Sequence, residues 1–334
     1  MKKLVLTMLA VVFAASAVFS APKWPSKNIT MTVPYGPGGT TDLTARAVAN
    51  AMGKDLGVTV NVINTPGAGG SAGTLNVQNS KADGYNILAN GMLAFTTMPI
   101  FGYTKKTFRD WDIWVITYAP NVIVVPINSP YKTINDLITA IRKNPGKIKA
   151  GTAGIGSGGH FGAEVIKAIA GADYKHITYA GGGPALTATL AGEVDFSPQL
   201  LAEYKDLIIA GKVRALATLS EEDITLAPGV VVPSIKKAFP LAAKYLPMGE
   251  VTAILLPKGL SEENLKKIDE AIAIAVKDKA FLDFCKLKSF DVIPLGRADS
   301  QKYLETFASK AAYLMYDAGA TKINPADFKI ERLK

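Results

Sequence analysis

The chain has 334 residues, a formal net charge of +9 and a single cysteine, Cys285. One cysteine excludes an internal disulfide. Its apolar neighbours Phe281, Leu282 and Phe284 favour a small buried side chain over a reactive thiol. The Lys and Arg residues are scattered, so the modest positive charge gives no reason to expect a nucleic-acid-binding protein, although it suits anionic ligands.

The N-terminus has the layout of a secretory signal peptide. Lys2 and Lys3 precede an apolar run at residues 4–12, and small residues follow at 14–17. This run is shorter than the ~20 residues that a membrane-spanning helix needs, which favours a cleaved signal over an anchor. We expect cleavage after Ser20, a mature chain of 314 residues (334 minus 20) and export to the periplasm.

Short β-rich segments alternate with helical patterns in the first part of the chain. The sequence predicts strands at residues 28–33, 58–63 and 85–89, and helices at 43–56 and 71–80. This βαβα rhythm indicates an α/β fold with parallel strands and with helices on both faces of the sheet.

The rhythm restarts after residue 120, and a mature chain of this size usually forms two domains. Thr133 and Asp136 form a capping-box pattern at the start of a helix, and Ser261 is the expected N-cap of another. Residues 220–247 are irregular and rich in proline. The predicted strands of this part are 121–127, 147–151, 175–179, 213–218 and 251–256, and its predicted helices are 133–143, 160–170, 184–191, 261–277 and 300–316.

Four glycine clusters, each between a predicted strand and a predicted helix, lie at residues 36–40, 67–71, 154–159 and 181–184. Glycine permits positive φ and close approach of other backbone segments. A helix that begins after such a loop directs free N–H groups and a partial positive charge outward, which suits an anion. If each half of the chain is one lobe, the clusters can face each other across a cleft. For any single cluster, a tight turn without a ligand is the alternative.

Two clusters contain enzyme-like motifs. Residues 154–159 match the dinucleotide pattern G-x-G-x-x-G, but Asp173 precedes the next predicted strand instead of ending it. Residues 69–73 match the nucleophile elbow G-x-S-x-G of a secreted hydrolase, but no acid stands out between this serine and the candidate base His160. No His, Cys and carboxylate residues cluster at metal-ligand spacing. We therefore expect no enzyme, no cofactor and no metal site.

Seven motifs lie in order along the chain: VPYGPGGTTD at 33–42, NTPGAGG at 64–70, ADGY at 82–85, NPGK at 144–147, GIGSGGH at 154–160, YAGGGPA at 179–185 and GEVD at 192–195. This ordered set resembles the tripartite tricarboxylate transporter substrate-binding proteins, the Bug family. Each motif is weak alone, but the ordered set covers essentially the whole mature chain. The sequence departs from the family pattern at two places. Residues 219–222 replace a Ser/Arg turn that is common in the family, and Gly249-Glu250 stands where a tryptophan is frequent.

The resemblance implies a type II periplasmic-binding fold, in which two α/β lobes are joined by a hinge and enclose a ligand cleft. We expect lobe 1 to contain residues 21–120 and 248–334, and lobe 2 to contain residues 121–247. The family implies a small carboxylate ligand (a di- or tricarboxylate, an aromatic acid or an amino acid) and a partner permease in the membrane. We expect a monomer. An input subunit for a sensor has the same cleft and stays open as an alternative function.

The glycine loops and nearby hydroxyl groups supply the expected ligand contacts. We expect Asp42 to cap its helix instead of contacting the ligand, because its charge would repel a carboxylate. Phe95 and Phe161 either line the pocket or belong to the core. The predicted ligand-binding residues are Tyr35, Gly38, Gly39, Thr40, Gly69, Gly70, Ser71, Thr152, Gly156, Ser157, His160, Tyr179, Gly182 and Gly183.

Overall fold

The computed structural model describes residues 23–333, so the predicted signal peptide lies outside the described residues. The strands are β1 (Ile29–Val33), β2 (Val60–Asn64), β3 (Asn86–Gly91), β4 (Trp111–Pro120), β5 (Val122–Pro126), β6 (Lys149–Thr152), β7 (Lys175–Thr178), β8 (Val213–Thr218), β9 (Ile224–Ala227), β10 (Val230–Val232), β11 (Gly249–Pro257) and β12 (Asp291–Leu295).

The helices are α1 (Thr40–Leu56), α2 (Ser71–Gln78), α3 (Met92–Thr97), α4 (Ile134–Lys143), α5 (Gly158–Ala170), α6 (Gly182–Leu190), α7 (Leu201–Ile209), α8 (Glu262–Ala275), α9 (Lys279–Lys288) and α10 (Arg297–Asp317). Among the helices of residues 23–333, none combines the length and the apolar character that a membrane crossing requires.

The first lobe is built on a six-stranded sheet with the order β12-β4-β11-β3-β1-β2. Strand β1 pairs parallel with β2 and β3, whereas β11 and β12 run antiparallel to their neighbours. Alternate residues of β11 face opposite sides of the sheet. Val251 and Leu255 join the cluster beneath α3 and α10, and Ile254 and Leu256 join the cluster beneath α1 and α8. Both faces of this sheet are therefore covered, as predicted, but its strands are mixed in direction.

The second lobe contains two strand pairs, the antiparallel pair β5-β8 and the parallel pair β6-β7. Isolated bridges from Ser197 to Val124 and from Phe196 to Ala150 join them. The result is one continuous sheet in which residues 196–197 act as its middle strand. Helices α4 and α5 pack against a hydrophobic cluster on one face, and α7 packs against a smaller cluster on the other.

The chain passes between the two sheets twice. It leaves the first sheet at the end of β4, with Asn121 alone between β4 and β5, and it returns between Leu219 and the start of β11. The N–H of Asn121 donates to the carbonyl of Met248 at 3.0 Å, and Leu219 donates to Asn121 at 2.9 Å. Met248 donates in turn to Leu219 at 2.9 Å. The two crossings are therefore bonded to each other. The lobe limits that we derived from the sequence, residues 120/121 and 247/248, remain a proposal.

Two of the predicted helix caps are present in the structure. The capping box of α4 is present: the Thr133 hydroxyl accepts from the Asp136 N–H at 3.2 Å, and the Asp136 carboxylate accepts from the Thr133 N–H at 2.9 Å. Ser261 caps α8. The region 220–247, which had no predicted element, contains the β9–β10 hairpin. Strands β4 and β12 and helices α3, α7 and α9 were also absent from the prediction.

Candidate ligand-binding site

The four glycine loops lie together where the two lobes meet. In the first contact, the Gly36 N–H donates to the carbonyl of Ala180 across the interface at 2.6 Å. A Cβ atom at Gly183 would lie only 2.3 Å from the carbonyl oxygen of Pro37. Because no side chain fits in that space, this contact requires glycine.

The second contact joins the other two loops. Gly69 has a φ of +64°, and a Cβ atom there would lie 2.1 Å from the carbonyl oxygen of Ile155. A Cβ atom at Gly154 would lie 3.0 Å from the Cα of Gly69. Glycine is needed here both for the left-handed backbone and for the close approach of the opposite lobe.

Between the lobes, these loops and the adjoining strand ends enclose a small cavity of about 30 Å³. Its volume suits one or two water molecules, so a larger solute requires the wall to rearrange. From the first lobe, the wall contains Tyr35, Gly39, Thr40, Thr41, Asp42 and Glu250. From the second lobe, it contains Ala153, Ser157, Gly158, Gly182, Gln199, Leu200 and Glu203.

Three helices begin at this wall. Thr40, Gly158 and Gly182 are the first residues of α1, α5 and α6, and all three line the cavity. The first turn of an α-helix has N–H groups without intrahelical acceptors and carries a partial positive charge. The two lobes therefore direct three positive helix ends at one cavity.

Glu203, on α7, bridges the lobes. Its Oε1 accepts from the N–H of Thr40 at 2.9 Å and from the Thr40 hydroxyl at 3.1 Å. The Gln199 side-chain amide donates to its Oε2 at 3.3 Å. Part of the Glu203 surface remains accessible. Burial of the carboxyl group among protein atoms raises its pKa to about 7, against the opposing effect of the bonds from Thr40 and Gln199.

Glu250, on β11, is 4% exposed. Its Oε1 accepts from the N–H of Leu93 at 2.9 Å. The backbones of Gly91 and Gly158 pack closely on this carboxyl group. A Cβ atom would lie 2.6 Å from it at Gly91 and 3.1 Å from it at Gly158. Burial raises the pKa of Glu250 to about 8, despite the stabilising backbone bonds, and the charge of Glu203 adds to the increase.

Two further polar atoms at the wall have no partner among the described residues. They are the hydroxyl of Tyr35, a residue that is 7% exposed, and Oε1 of Gln199, a residue that is 1% exposed. Burial of a polar atom without a hydrogen bond costs about 1–3 kcal/mol. The residues of this wall include three acids and no Lys, Arg or His. The cavity therefore combines free acceptor atoms with helix N-termini.

The structure brings some of the predicted residues to the cavity wall and places others beside it. Tyr35, Gly39, Thr40, Ser157 and Gly182 line the cavity. Of the remaining glycines, those at 69 and 183 form the contacts between the lobes, and the one at 70 lies against the Tyr35 hydroxyl.

The other predicted hydroxyl groups are not on the wall and bond to the protein itself. The Ser71 hydroxyl donates to the carbonyl of Ala68 at 2.9 Å. Thr152 pairs with Nε2 of His176 at 2.5 Å, and the Tyr179 hydroxyl donates to Glu193 at 3.4 Å. We infer that these three groups shape their own lobe.

His160 is also outside the cavity wall. Its Nδ1 accepts from the N–H of Gly156 at 3.0 Å, and its ring stacks on His176 at 4.6 Å. Nε2 of His160 lies 3.5 Å from Glu164 in the interior of the second lobe. His160 and Gly156 thus order the loop that precedes α5.

Asp42 is not the N-cap of its helix, because that position is occupied by Gly39. Asp42 is the third residue of α1, and its carboxylate reaches back to accept from the Gly38 N–H at 2.9 Å. It also pairs with Arg46 at 2.9 Å and accepts from Asn64 at 2.9 Å. Burial acts to raise its pKa, but these partners outweigh burial and the pKa lies below its ordinary value.

Phe95 and Phe161 are core residues. Phe95 packs edge-to-face on Trp111 with ring centroids 5.3 Å apart, and Phe161 is fully buried in the same hydrophobic cluster. The sequence prediction missed the two central acids. Glu250 lies at the departure from the family pattern, which was a usable signal. Glu203 gave none, because an acid near the start of a helix is common on any protein surface.

A family model described as the tripartite tricarboxylate transporter family receptor matches residues 44–316. A UPF0065 protein of Bordetella pertussis is 30% identical over 314 residues, which cover 93% of this chain and 95% of the relative. The solved structure of periplasmic binding protein BugD has a TM-score of 0.83 at 26% identity, and the match covers 89% of this chain and 99% of BugD.

The structure of MatC from Rhodopseudomonas palustris with bound malate has a TM-score of 0.81 at 20% identity, and the match covers 87% of this chain and 99% of MatC. At that identity, the likeness shows the fold alone. The extent of the family match and the identity to the Bordetella relative establish the family itself. The tripartite tricarboxylate transporter receptor family is a family of periplasmic solute-binding receptors and not of enzymes. This chain belongs to that family and has its two-lobed α/β fold.

Proposed function

We propose that this protein is a monomeric periplasmic receptor that captures a small organic carboxylate between its lobes and delivers it to the membrane permease of a tripartite tricarboxylate-type transporter. The observation that carries this proposal is the convergence of three helix N-termini, from both lobes, on one cavity between the lobes. Membership of the receptor family supports the role in transport.

The start of α1 offers the best position for a carboxylate. Thr41 and Asp42 lie on the cavity wall in the first turn, where helix geometry leaves backbone N–H groups without intrahelical acceptors. Hydrogen bonds to a charged group contribute about 1.5–3 kcal/mol each. A few such bonds, together with burial of the solute's apolar surface, supply the roughly 8 kcal/mol of micromolar affinity after the costs of desolvation and association are subtracted.

A solute that contacts both lobes stabilises the closed arrangement relative to the open one. The difference in binding free energy between the two arrangements determines how far the population shifts. In this proposal, the permease recognises the closed receptor, and the cleft between the glycine loops is where the solute is held.

Titration calorimetry with di- and tricarboxylates, aromatic acids, amino acids and uncharged sugars tests the ligand class. We expect micromolar binding of at least one carboxylate. Binding of sugars alone, or of no carboxylate better than millimolar, would refute the proposal. Co-purification from membranes tests the partner: recovery of a permease supports transport, whereas recovery of a sensor kinase assigns the receptor to signalling.

A further inference from the structure

The free edge of the first sheet, at β2, borders a second concave surface, remote from the lobe interface. We propose that the groove between α1 and this edge is the docking surface for an extended, acidic segment of the permease, an inference that rests on the proposed function for the identity of its partner. The segment adds to the sheet as a further strand beside β2, a mode of binding in which main-chain hydrogen bonds supply affinity.

The outer side of β2 has backbone groups available for such a strand. Strand β2 is the last of the six-stranded sheet and pairs with β1 alone. The Ile29 N–H donates to the carbonyl of Thr59 at 3.0 Å. Thr65 donates to Val33 at 2.8 Å. Because backbone groups alternate in direction along a strand, the odd-numbered residues of β2 bond to β1, and the even-numbered residues direct their N–H and C=O groups outward.

The two edges of this sheet differ in their protection against an added strand. Edge strands are commonly protected by proline, by charged side chains or by bulges. At the opposite edge, β12 contains Asp291 and Pro294. Its register with β4 also shifts between Val292 and Leu295. Strand β2 has the sequence VNVIN, without charge or proline, and all five residues keep a regular register with β1. The β2 edge is therefore open to pairing.

The groove beside this edge has the shape for a polypeptide. The helix α1 contributes the small residues Ala49 and Gly53 to its lining, and β2 contributes Val60 and Val62. Its volume is about 1010 Å³, against about 30 Å³ for the cavity between the lobes. A groove this wide does not enclose a small solute. Ile63 of β2 is 45% exposed and offers an apolar contact to a side chain of the added strand.

The charges of the groove favour an acidic partner. Its lining contains the basic residues Lys27, Arg46 and Lys54, and no Asp or Glu. Arg46 pairs with Asp42, which is not on the groove, at 2.9 Å. Lys27 and Lys54 are exposed, and neither has an ion-pair partner among residues 23–333. Two positive charges of the groove are therefore free for the carboxylates of a partner.

The basic residues lie near both ends of β2. At one end, Arg46 donates to the side chain of Asn64 at 2.9 Å. At the other end, the side chain of Asn28, the neighbour of Lys27, accepts from the Thr59 N–H at 3.2 Å. Five residues of a strand span about 17 Å. A segment of about this length with acidic residues near both of its ends matches the groove.

Other occupants fit less well. Two copies of this chain that paired through β2 would bring the same basic residues together, and like charges repel. An anionic membrane surface would attract the lysines, but it would leave the outward backbone groups of β2 without partners. A segment of the permease supplies both carboxylates and backbone groups.

The test measures how much permease the full receptor recovers from membranes of the cells that produce it, with the permease subunits identified by mass spectrometry. Val62→Pro removes an outward N–H that no bond to β1 uses, and V62A, which keeps that N–H, is its matched control. K27E and K54E each reverse one charge of the groove. K310E, at an exposed position of α10 on the opposite face of the sheet, is the control for both.

We expect V62P to recover at least tenfold less permease than V62A, and K27E and K54E to recover at least threefold less than K310E. Solute binding, measured by calorimetry, should be unchanged in every variant. If V62P fails to fold, the charge reversals at exposed positions still test the surface.

Several results would overturn the inference. Equal recovery by V62P and V62A, or by K54E and K310E, would place the docking surface elsewhere, and the proposed function would stand if the unchanged receptor still binds a carboxylate and recovers the permease. Dimers that V62P abolishes in sedimentation would assign the edge to a second copy. Binding to phosphatidylglycerol vesicles that K54E abolishes, without an effect on permease recovery, would assign the groove to lipid.

The two proposals fail in different ways. No permease recovered by the unchanged receptor would contradict both the docking surface and the role in transport. No carboxylate bound, with permease recovery still reduced in V62P and K54E, would contradict the proposed solute class and support the docking surface.

Discussion

Glu164 in the second lobe and the pair Glu203 and Glu250 at the cavity are acids in opposite environments. In the second lobe, Glu164 is 4% exposed and accepts from the Tyr174 hydroxyl at 2.8 Å. His160 lies 3.5 Å away and Lys167 lies 3.8 Å away. Burial acts to raise the pKa of Glu164, but the bonds from His160 and Tyr174 and the charge of Lys167 outweigh it, so its pKa lies below the ordinary value.

At the cavity between the lobes, Glu203 and Glu250 have raised pKa values instead. Backbone N–H groups surround them, but no cation does. A buried acid that its own lobe neutralises contributes to folding, whereas a buried acid without a cation reduces stability when it ionises. The contrast separates an acid that pairs with cationic and hydroxyl groups of its own lobe from two acids that are bonded mainly by neutral donors.

The largest effect is expected from Glu164→Gln. This change removes the carboxylate that bonds to His160 and Tyr174 and pairs with Lys167, and it should lower the free energy of unfolding by about 2–3 kcal/mol. Urea unfolding at pH 7 measures it. Glu193→Gln, at an exposed position of the same lobe, serves as the control. Unchanged stability in E164Q would mean that the two groups of acids do not differ as described.

Glu250→Gln should act in the opposite direction. A raised pKa means that the folded protein holds its proton above the pH at which the unfolded chain has lost it, so stability falls as pH rises. From pH 6.5 to 8, the unchanged protein should lose on the order of 1–2 kcal/mol of unfolding free energy. His176, whose pKa burial lowers to about 4, is neutral throughout this range in the folded state.

E250Q should therefore be more stable than the unchanged protein at pH 8 by about 2 kcal/mol, with a flatter pH profile, because the ionisation cost is gone. Chemical denaturation at several pH values provides the measurement, with Glu270→Gln, at an exposed position of α8, as the matched control. A steeper profile in E250Q would contradict the assignment of a raised pKa.

Gly183→Ala tests the closed contact without touching either acid. The added methyl group would lie 2.3 Å from the carbonyl oxygen of Pro37, and that clash exists only when the lobes are together. We expect solute affinity to fall about tenfold, which is 1.4 kcal/mol, with unchanged or slightly higher stability because alanine favours a helix. Gly296→Ala, where a Cβ atom meets nothing within 4 Å, is the control. Equal affinities in the two variants would show that closure does not contribute to binding.

The smallest effect is expected from Tyr174→Phe, which removes one hydrogen bond to Glu164. The loss should be about 1 kcal/mol of unfolding free energy, with solute affinity unchanged. Thermal unfolding and calorimetry on the same sample measure both. A large loss of affinity would connect Glu164 to the binding site and remove the distinction between the two groups.

Local signals in the sequence predicted much of the fold. Strand β8 has its predicted limits, and the capping residues Thr133 and Ser261 mark their helices. Strand β4 was missed because nearly every residue in it is buried, so it shows neither the alternation of a surface strand nor a flanking glycine cluster. Local patterns could not predict the direction of the strands in the first sheet either, because β11 inserts between β3 and β4 only after the chain returns from the other lobe.

The candidate site shows the same limit. Glycine loops are visible in a sequence because turns and close backbone contacts need them, and all four clusters meet at the interface of the lobes. The sequence does not indicate the role of Glu203, because that role depends on its bond with Thr40, which is 163 positions away and in the other lobe. Hydroxyl groups such as that of Thr152 looked available in the sequence, but the fold supplies them with internal partners.

The bonded crossings at Asn121, Leu219 and Met248 limit how the protein can open. Any separation of the lobes that preserves those three backbone bonds is a rotation about them, because sliding one lobe past the other would break the bonds. Displacement in a rotation grows with distance from the axis. Loops far from the crossings therefore travel furthest, and a solute enters through a wedge-shaped mouth instead of a parallel slit.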